Sequence, residues 1–380
     1  MTLHPMAEAP LYIVHTESSC GWGGQEIRVL TEARGFLDRG HRVHLVVPPE
    51  ADIYPAARQR GIPVTPLPIA RKSLAAFRAL RRWFATAGLG AHVVNTHSST
   101  DSWLAALALR TMQRAPAMIR TRHVSSPVSR NRTTFWLYQR ATAHVVTTGE
   151  ALREQLHRDN GFALASMTSV PTGIDLARFR PMDARAARSA VGLPERPTLG
   201  IVATLRNWKG HAYLFDAFAG LRERYPEWQL VVVGDGPQFE KYGRRLVELG
   251  LADAARLVGR QENVPEWLGA LDIFVLPSYG DEGVPQSVMQ AMACARPVVS
   301  TTIGAIHEAV VDGETGILVP PKDTAALAAA LARLMNDPGL RERLAAAGLE
   351  RARTRFGIAL MLDRMEAVFR RFAPTALVPG

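Results

Sequence analysis

The chain has 380 residues, 47% of them apolar and 21% charged, with a formal net charge of +10. That balance excludes a disordered or low-complexity scaffold, and the length exceeds what one hydrophobic core usually organises, so two domains are expected. No apolar run approaches the roughly 18 to 20 residues a membrane-spanning helix needs, and residues 1–10 lack a basic region followed by an apolar stretch, so no signal peptide is expected.

Short β-branched runs alternate with longer helical patterns, which predicts parallel strands joined by helices. Strands are expected at Leu11 to His15, Val43 to Pro48, Val93 to Thr96, Met118 to Arg120 and His144 to Thr148. Helices fall between them at Gln25 to Arg39, Ser73 to Ala85 and Asp101 to Met112. The turn-rich segment Val170 to Pro181 reads as a linker. A second series follows, with strands at Leu199 to Ala203, Gln229 to Val233, Ala255 to Val258, Ile273 to Leu276 and Pro297 to Ser300. The last helical pattern, Leu360 to Phe372, is amphipathic and is expected to pack back on the first domain. The organisation is thus 1–180, 181–358 and a terminal helical segment 359–380. Open parallel sheets bind ligands at the carboxyl ends of their strands, so the cleft between two such domains is the expected active site.

The charge is uneven. Residues 1–190 hold 24 Lys and Arg against 13 Asp and Glu, leaving 21 against 22 in the remainder. A one-sided basic field suits an anionic membrane surface or a phosphorylated acceptor, while an arginine bias spread over a solvated surface is the alternative. Nucleic acid is not expected, because the cations lack interleaved aromatics and a recognised binding motif. The helix Ser73 to Ala85 carries Arg78, Arg81 and Arg82 beside Phe77, Trp83 and Phe84; it reads either as a membrane-surface element or as a helix covering a sheet. Cys20 and Cys294 stand alone, as fits a reducing cytoplasm.

Gly21, Gly23 and Gly24 follow the first strand and precede a helix, where backbone amides can meet an anion. The Walker Lys-Ser/Thr and the full G-x-G-x-x-G spacing are missing, which argues against an ATPase or a dinucleotide enzyme. In the second half Arg206 and Lys209 lie between a buried strand and a helix, positioned to neutralise charge on a departing diphosphate. Gly234 closes another strand in Val-Val-Val-Gly-Asp-Gly-Pro. The segment Glu282 to Gln290 runs from a loop into a helix near Gln286, so the amides of Gln286, Ser287 and Val288 would face a phosphate. The Glu282 carboxylate can accept hydrogen bonds from sugar hydroxyls. No Asp-x-Asp pair and no His/Cys cluster with metal spacing occurs, so neither a metal nor a cofactor is implied.

These segments, in this order, resemble the retaining glycosyltransferases of family 4, which have the GT-B fold of two Rossmann-like α/β domains. The likeness runs from Gly-Trp-Gly-Gly through Pro-Thr-Gly-Ile-Asp, Lys-Gly, Gly-Asp-Gly-Pro and Glu-Gly-Val-Pro to Asp-Gly-Glu-Thr-Gly-Ile-Leu-Val-Pro-Pro at 312–321. It implies a nucleotide-sugar donor in the second domain, a glycan or glycolipid acceptor in the first, retention of configuration, and a leaving phosphate that helps take the acceptor proton. His123 matches the family histidine that approaches the transferred sugar; a structural role, as for His97, is the other reading.

On this resemblance His123, Arg206, Lys209 and Glu282 form the reactive centre. Gly23, Gly24, Gly234, Gly259, Gly283, Val284, Gln286, Ser287, Val288 and Gln290 form the donor-binding set. Two departures stand out. The family's second glutamate, which binds the nucleotide ribose, is Gln290 here, and Thr204 occupies the usual place of an arginine for which Arg206 can substitute. The leading expectation is transfer to a cell-envelope or lipid-linked glycan such as lipopolysaccharide core, on the cytoplasmic side and peripheral to the membrane. A soluble acceptor, a nucleotide-sugar epimerase or hydrolase, or a non-catalytic sugar-nucleotide binder are the alternatives.

Overall fold

In a computed structural model the described residues are 9–124, 126–280 and 282–373; residues 1–8, within the segment expected to lack a signal peptide, lie outside them. The chain divides into two compact units, one formed by residues 1–171 with 358–380, the other by residues 172–357.

The first unit holds a seven-stranded sheet built from β1 (Tyr12–Thr16), β2 (Arg42–Val47), β3 (Val64–Pro66), β4 (Val93–Thr96), β5 (Ala117–Arg122), β6 (His144–Thr147) and β7 (Met167–Ser169). Their order is β3-β2-β1-β4-β5-β6-β7, every pair parallel. Successive side chains of a strand point to opposite faces, and both faces are apolar here: Tyr12 and Val14 enter one core, Leu11 and Ile13 the other. Burial on both faces requires helices on both faces, the doubly wound arrangement.

The helix Ile358–Phe372 belongs to this unit. Phe369 packs in the core against Phe36, ring centres 5.5 Å apart, and Leu362 fills the space beside Gly35, where a Cβ would come within 2.4 Å of it. Arg39 ties the same helix through Asp363 at 2.7 Å and Glu366 at 3.1 Å.

The helix Leu74–Ala85 starts where Ser73 accepts a hydrogen bond from the Ala76 amide, a standard N-cap. Trp83 and Phe84 are buried in the core, and Phe77 packs against it. Of the two readings of this helix, the structure bears out the one that covers the sheet: its aromatics pack inward, and Arg78, Arg81 and Arg82 are exposed.

The second unit holds a six-stranded parallel sheet of β8 (Thr198–Val202), β9 (Gln229–Val233), β10 (Ala255–Leu257), β11 (Ile273–Leu276), β12 (Val298–Thr301) and β13 (Ile317–Val319). The order is β10-β9-β8-β11-β12-β13. The strand order reverses direction between β1 and β4 in one unit and between β8 and β11 in the other, so each sheet has a switch point where the loops diverge and a ligand can enter. β3, β7 and β13 have no counterpart among the strands expected from sequence. Among the described residues, no helix is long and apolar enough to cross a membrane.

Candidate functional site

At the switch point of the second sheet, the loop after β8 carries Lys209 and the loop after β11 carries Glu282. The Lys209 ammonium lies 2.6 Å from Glu282 Oε1, and the Ser278 hydroxyl donates to that same oxygen at 2.7 Å. Ser278 is in turn tied through its carbonyl, which accepts from the Thr301 hydroxyl at 2.6 Å. One carboxylate oxygen is thus held from two sides. Oε2 makes no hydrogen bond among the described residues.

The backbone is shaped to allow this approach. Gly210, directly after Lys209, sits at φ +78°, and a Cβ there would stand 1.9 Å from the Pro277 carbonyl oxygen. Only glycine lets the two loops touch. On the far side Gly304, at φ +56°, faces the backbone of Glu282, where a Cβ would meet the carbonyl oxygen at 2.2 Å. The Ala305 amide donates to that carbonyl at 2.9 Å. Gly304 and Ser278 therefore position Glu282, yet neither belongs to the residues expected from sequence. Ser278 had a local signal, immediately after the strand-ending Pro277; Gly304 had none, since its role depends on a partner 22 positions earlier.

The helix Gln286–Ala293 begins after Pro285 with no side-chain cap. Its first backbone bond runs from the Met289 amide to the Pro285 carbonyl, so the amides of the first turn precede the intrahelical ladder and carry the positive end of the dipole. Val284 and Val288 are buried core side chains, which leaves their backbone as what they could offer a ligand. Gln290 lies one turn from Gln286 on the same helix face. It is half-buried, and its amide group has no hydrogen bond among the described residues.

Arg206 precedes Lys209 in one tight turn, its carbonyl accepting from the Lys209 amide at 3.1 Å. Arg206 is exposed and stacks over Trp208 at 5.0 Å, and no ion pair joins it to Glu282 among the described residues. Gly234 and Gly259 end β9 and follow β10, joined by a 2.9 Å hydrogen bond from the Gly234 amide to the Gly259 carbonyl. His211, at the start of the helix after Lys209, is buried against Tyr242 with ring centres 5.1 Å apart. Burial, with the Lys209 charge adding to it, drives its pKa down to about 3.

In the first unit the Gly21 to Gly24 turn leads into the helix Gly24–Asp38, capped by Gly23 in extended conformation. A Cβ on Gly23 would meet only ordinary contact, 3.6 Å from Glu26, so internal packing does not demand glycine there. Around this turn the Glu17 carboxyl accepts from the Ser19 amide, Ser98 and Gln25. Burial first, and then the nearby Asp101 charge, raise the Glu17 pKa. Asp101 accepts from Thr16 Oγ1 at 2.7 Å and from the His97 and Ser98 amides at 2.9 and 2.8 Å, which ties the end of β1 to the end of β4.

His123 follows β5, and its Nε2 lies 2.9 Å from His97 Nδ1. His97 Nε2 lies 2.9 Å from His15 Nδ1. Burial holds all three imidazoles below the ordinary histidine range: His15 to about 3, His97 well below it with its histidine neighbours adding, and His123 well below it with Arg28, Arg122 and Arg120 adding. At neutral pH the cluster is uncharged. His15 lacked a sequence signal because it sits among apolar strand residues.

Residues 196–337 match the family model described as Glycosyl transferases group 1, and residues 22–178 match that described as Glycosyltransferase Family 4. The lipopolysaccharide core biosynthesis mannosyltransferase LpsB of Rhizobium meliloti (strain 1021) is 34% identical over 281 residues, covering 70% of this chain and 76% of LpsB. The phosphatidyl-myo-inositol mannosyltransferase of Mycobacterium leprae is 28% identical over 92% of this chain and 94% of its own. The crystal structure of Anabaena HepE in complex with UDP superposes with a TM-score of 0.85 at 19% identity, over 95% of this chain and 100% of that one, a likeness of fold.

Proposed function

Since the chain belongs to the group 1 glycosyl transferases, we propose that it moves a sugar from a nucleotide diphosphate sugar to a cell-envelope glycan of the lipopolysaccharide-core type, with retention of configuration and without a metal. The observation that carries the donor assignment is the Lys209–Glu282 pair at the switch point of the second sheet, 2.6 Å apart, beside an uncapped helix start.

In this reading the free oxygen of Glu282 accepts from donor-sugar hydroxyls. The remaining N–H groups of Lys209 and the first-turn amides at Gln286, Ser287 and Val288 face the diphosphate, and Gln290 meets the ribose. The bond from the anomeric carbon to the diphosphate oxygen breaks while an acceptor hydroxyl oxygen bonds that carbon on the same face. The acceptor proton passes to the departing phosphate, whose new charge is stabilised by Lys209 and the helix amides. The first unit takes the acceptor, to which His123 and the Gly23–Gly24 turn offer their polar groups. The acceptor class is supported by the names of relatives such as LpsB. The excess of cations in residues 1–190, including exposed Arg78 and Arg82, supports a peripheral position on an anionic cytoplasmic membrane face.

The test is nucleotide release from a panel of UDP-, GDP- and ADP-sugars, with and without membrane extract or purified lipopolysaccharide core. Release that depends on the core acceptor is expected, and an anomeric product of unchanged configuration by NMR. Release with soluble acceptors alone would move the acceptor assignment, and inverted product would overturn retention. Gln290 favours one second reading, a donor binder without turnover; binding with no release in any mixture would select it.

A further inference from the structure

We propose that His97 and His15 are positioning residues which set the tautomer of His123, so that His123 presents an Nδ1–H donor to a hydroxyl oxygen of the sugar or acceptor. The ligand part of this statement rests on the functional reading above; the tautomer part rests on the geometry of the first unit alone.

The three histidines belong to neighbouring strands or the positions just past them. His15 pairs with Asn95, and Asn95 with Ile119. His97 is two residues beyond Asn95, and continuing the register sets it opposite Thr121, two residues before His123. Steps of two keep a side chain on the same sheet face, so the three rings climb one face by two residues per strand. The ring centres of successive histidines lie 5.3 and 5.1 Å apart. Each separation exceeds its 2.9 Å nitrogen distance by about the sum of two ring radii. The nitrogens therefore lie near the line between ring centres, as an in-plane N–H···N bond requires. The planes of His15 and His97 differ by only 16°.

A neutral imidazole has one N–H and one lone pair, and each nitrogen–nitrogen contact must hold a single proton. Two arrangements of the neutral chain satisfy both contacts: every proton on Nδ1, or every proton on Nε2. His15 distinguishes them. Its Nε2 is buried with no hydrogen-bond partner among the described residues, and orphaned buried N–H groups are rarer than underused lone pairs. With the lone pair on that nitrogen, His15 Nδ1–H donates to His97 Nε2, and His97 Nδ1–H donates to His123 Nε2. His123 is then left with its proton on Nδ1, which has no hydrogen bond among the described residues. Asp101, gripping the His97 amide at 2.9 Å, holds the middle ring's backbone in register.

Imidazole nitrogen-15 spectra of the whole protein, with kinetics of the wild type and of His97→Leu, His97→Asn and His97→Gln, test this. Wild-type His123 should show a protonated Nδ1 and an unprotonated, hydrogen-bonded Nε2. His97→Leu should lower kcat/KM by about 10-fold, the scale of one net hydrogen bond, while redistributing the His123 proton. Asn places an N–H near the position of Nδ1 and should restore both signals; Gln places it near Nε2 and should not. A wild-type His123 protonated on Nε2, or a His123 tautomer unmoved in folded His97→Leu, overturns the proposal. If the Leu variant does not fold, the wild-type spectrum decides. Because the spectra need no substrate, the tautomer assignment stands or falls apart from the transferase reading, which core-dependent nucleotide release tests.

Discussion

Lys209 and Glu282, 73 positions apart, meet at 2.6 Å, and the Ser278 hydroxyl reaches the same carboxylate oxygen. Glu282→Gln preserves size but removes the charge that holds Lys209 and accepts from the ligand. Loss of a preorganised electrostatic contact typically costs about 10²- to 10³-fold in kcat, and that range is expected for Glu282→Gln and Lys209→Met. Ser278→Ala, which removes one support of the carboxylate, should cost less. Steady-state nucleotide release checks the ranking; Ser278→Ala as damaging as Glu282→Gln would mean that positioning, not charge, dominates.

Gln290 offers the helix face one acceptor and one amide donor group where a carboxylate would offer two acceptors. A Gln290→Glu variant should bind the nucleotide at least as tightly as the parent, since hydrogen bonds to an ionised acceptor are stronger than neutral ones. Calorimetric titration with UDP, GDP and ADP measures this. A large loss of affinity would place the ribose elsewhere.

Acid should unfold the protein through its buried histidines. His211 and His15 are driven to about 3 in the folded state, whereas an unfolded histidine titrates near about 6.5. Between those values the unfolded chain binds more protons, so the stability from keeping these rings neutral is present above about 6.5 and is lost as pH falls toward about 3. His211→Phe removes one such group and keeps an aromatic ring against Tyr242. Its denaturation midpoint should fall less than the parent's between about pH 7.5 and about pH 5, and an equal fall would exclude His211 as a source of the acid limb.

The helix Ile358–Phe372 should be required for the first unit to be stable. Phe369 is fully buried among Phe36 and the residues of that core, and Phe→Ala at such a site typically costs about 3–5 kcal/mol. Urea denaturation of Phe369→Ala, followed by hydrogen exchange, should show the loss in residues 11–170. Loss spread equally over residues 172–357 would contradict an effect confined to one unit.

Strand runs such as Val93–Thr96, Gln229–Val233 and Ile273–Leu276 are legible in the sequence because β-branched, apolar residues bounded by turns report local conformation. So are the residue types that bear charge beside strand ends, Lys209 and Glu282 among them. Periodicity, however, says only that a side chain is buried, not what it touches, which is why the aromatics of Leu74–Ala85 fitted a membrane surface as well as a sheet. The Lys209–Glu282 pair, the backbone seat that Gly304 makes for Glu282, and the alignment of His15, His97 and His123 come from strand order and register. Those depend on contacts between residues far apart in the chain, and only the assembled sheets decide them.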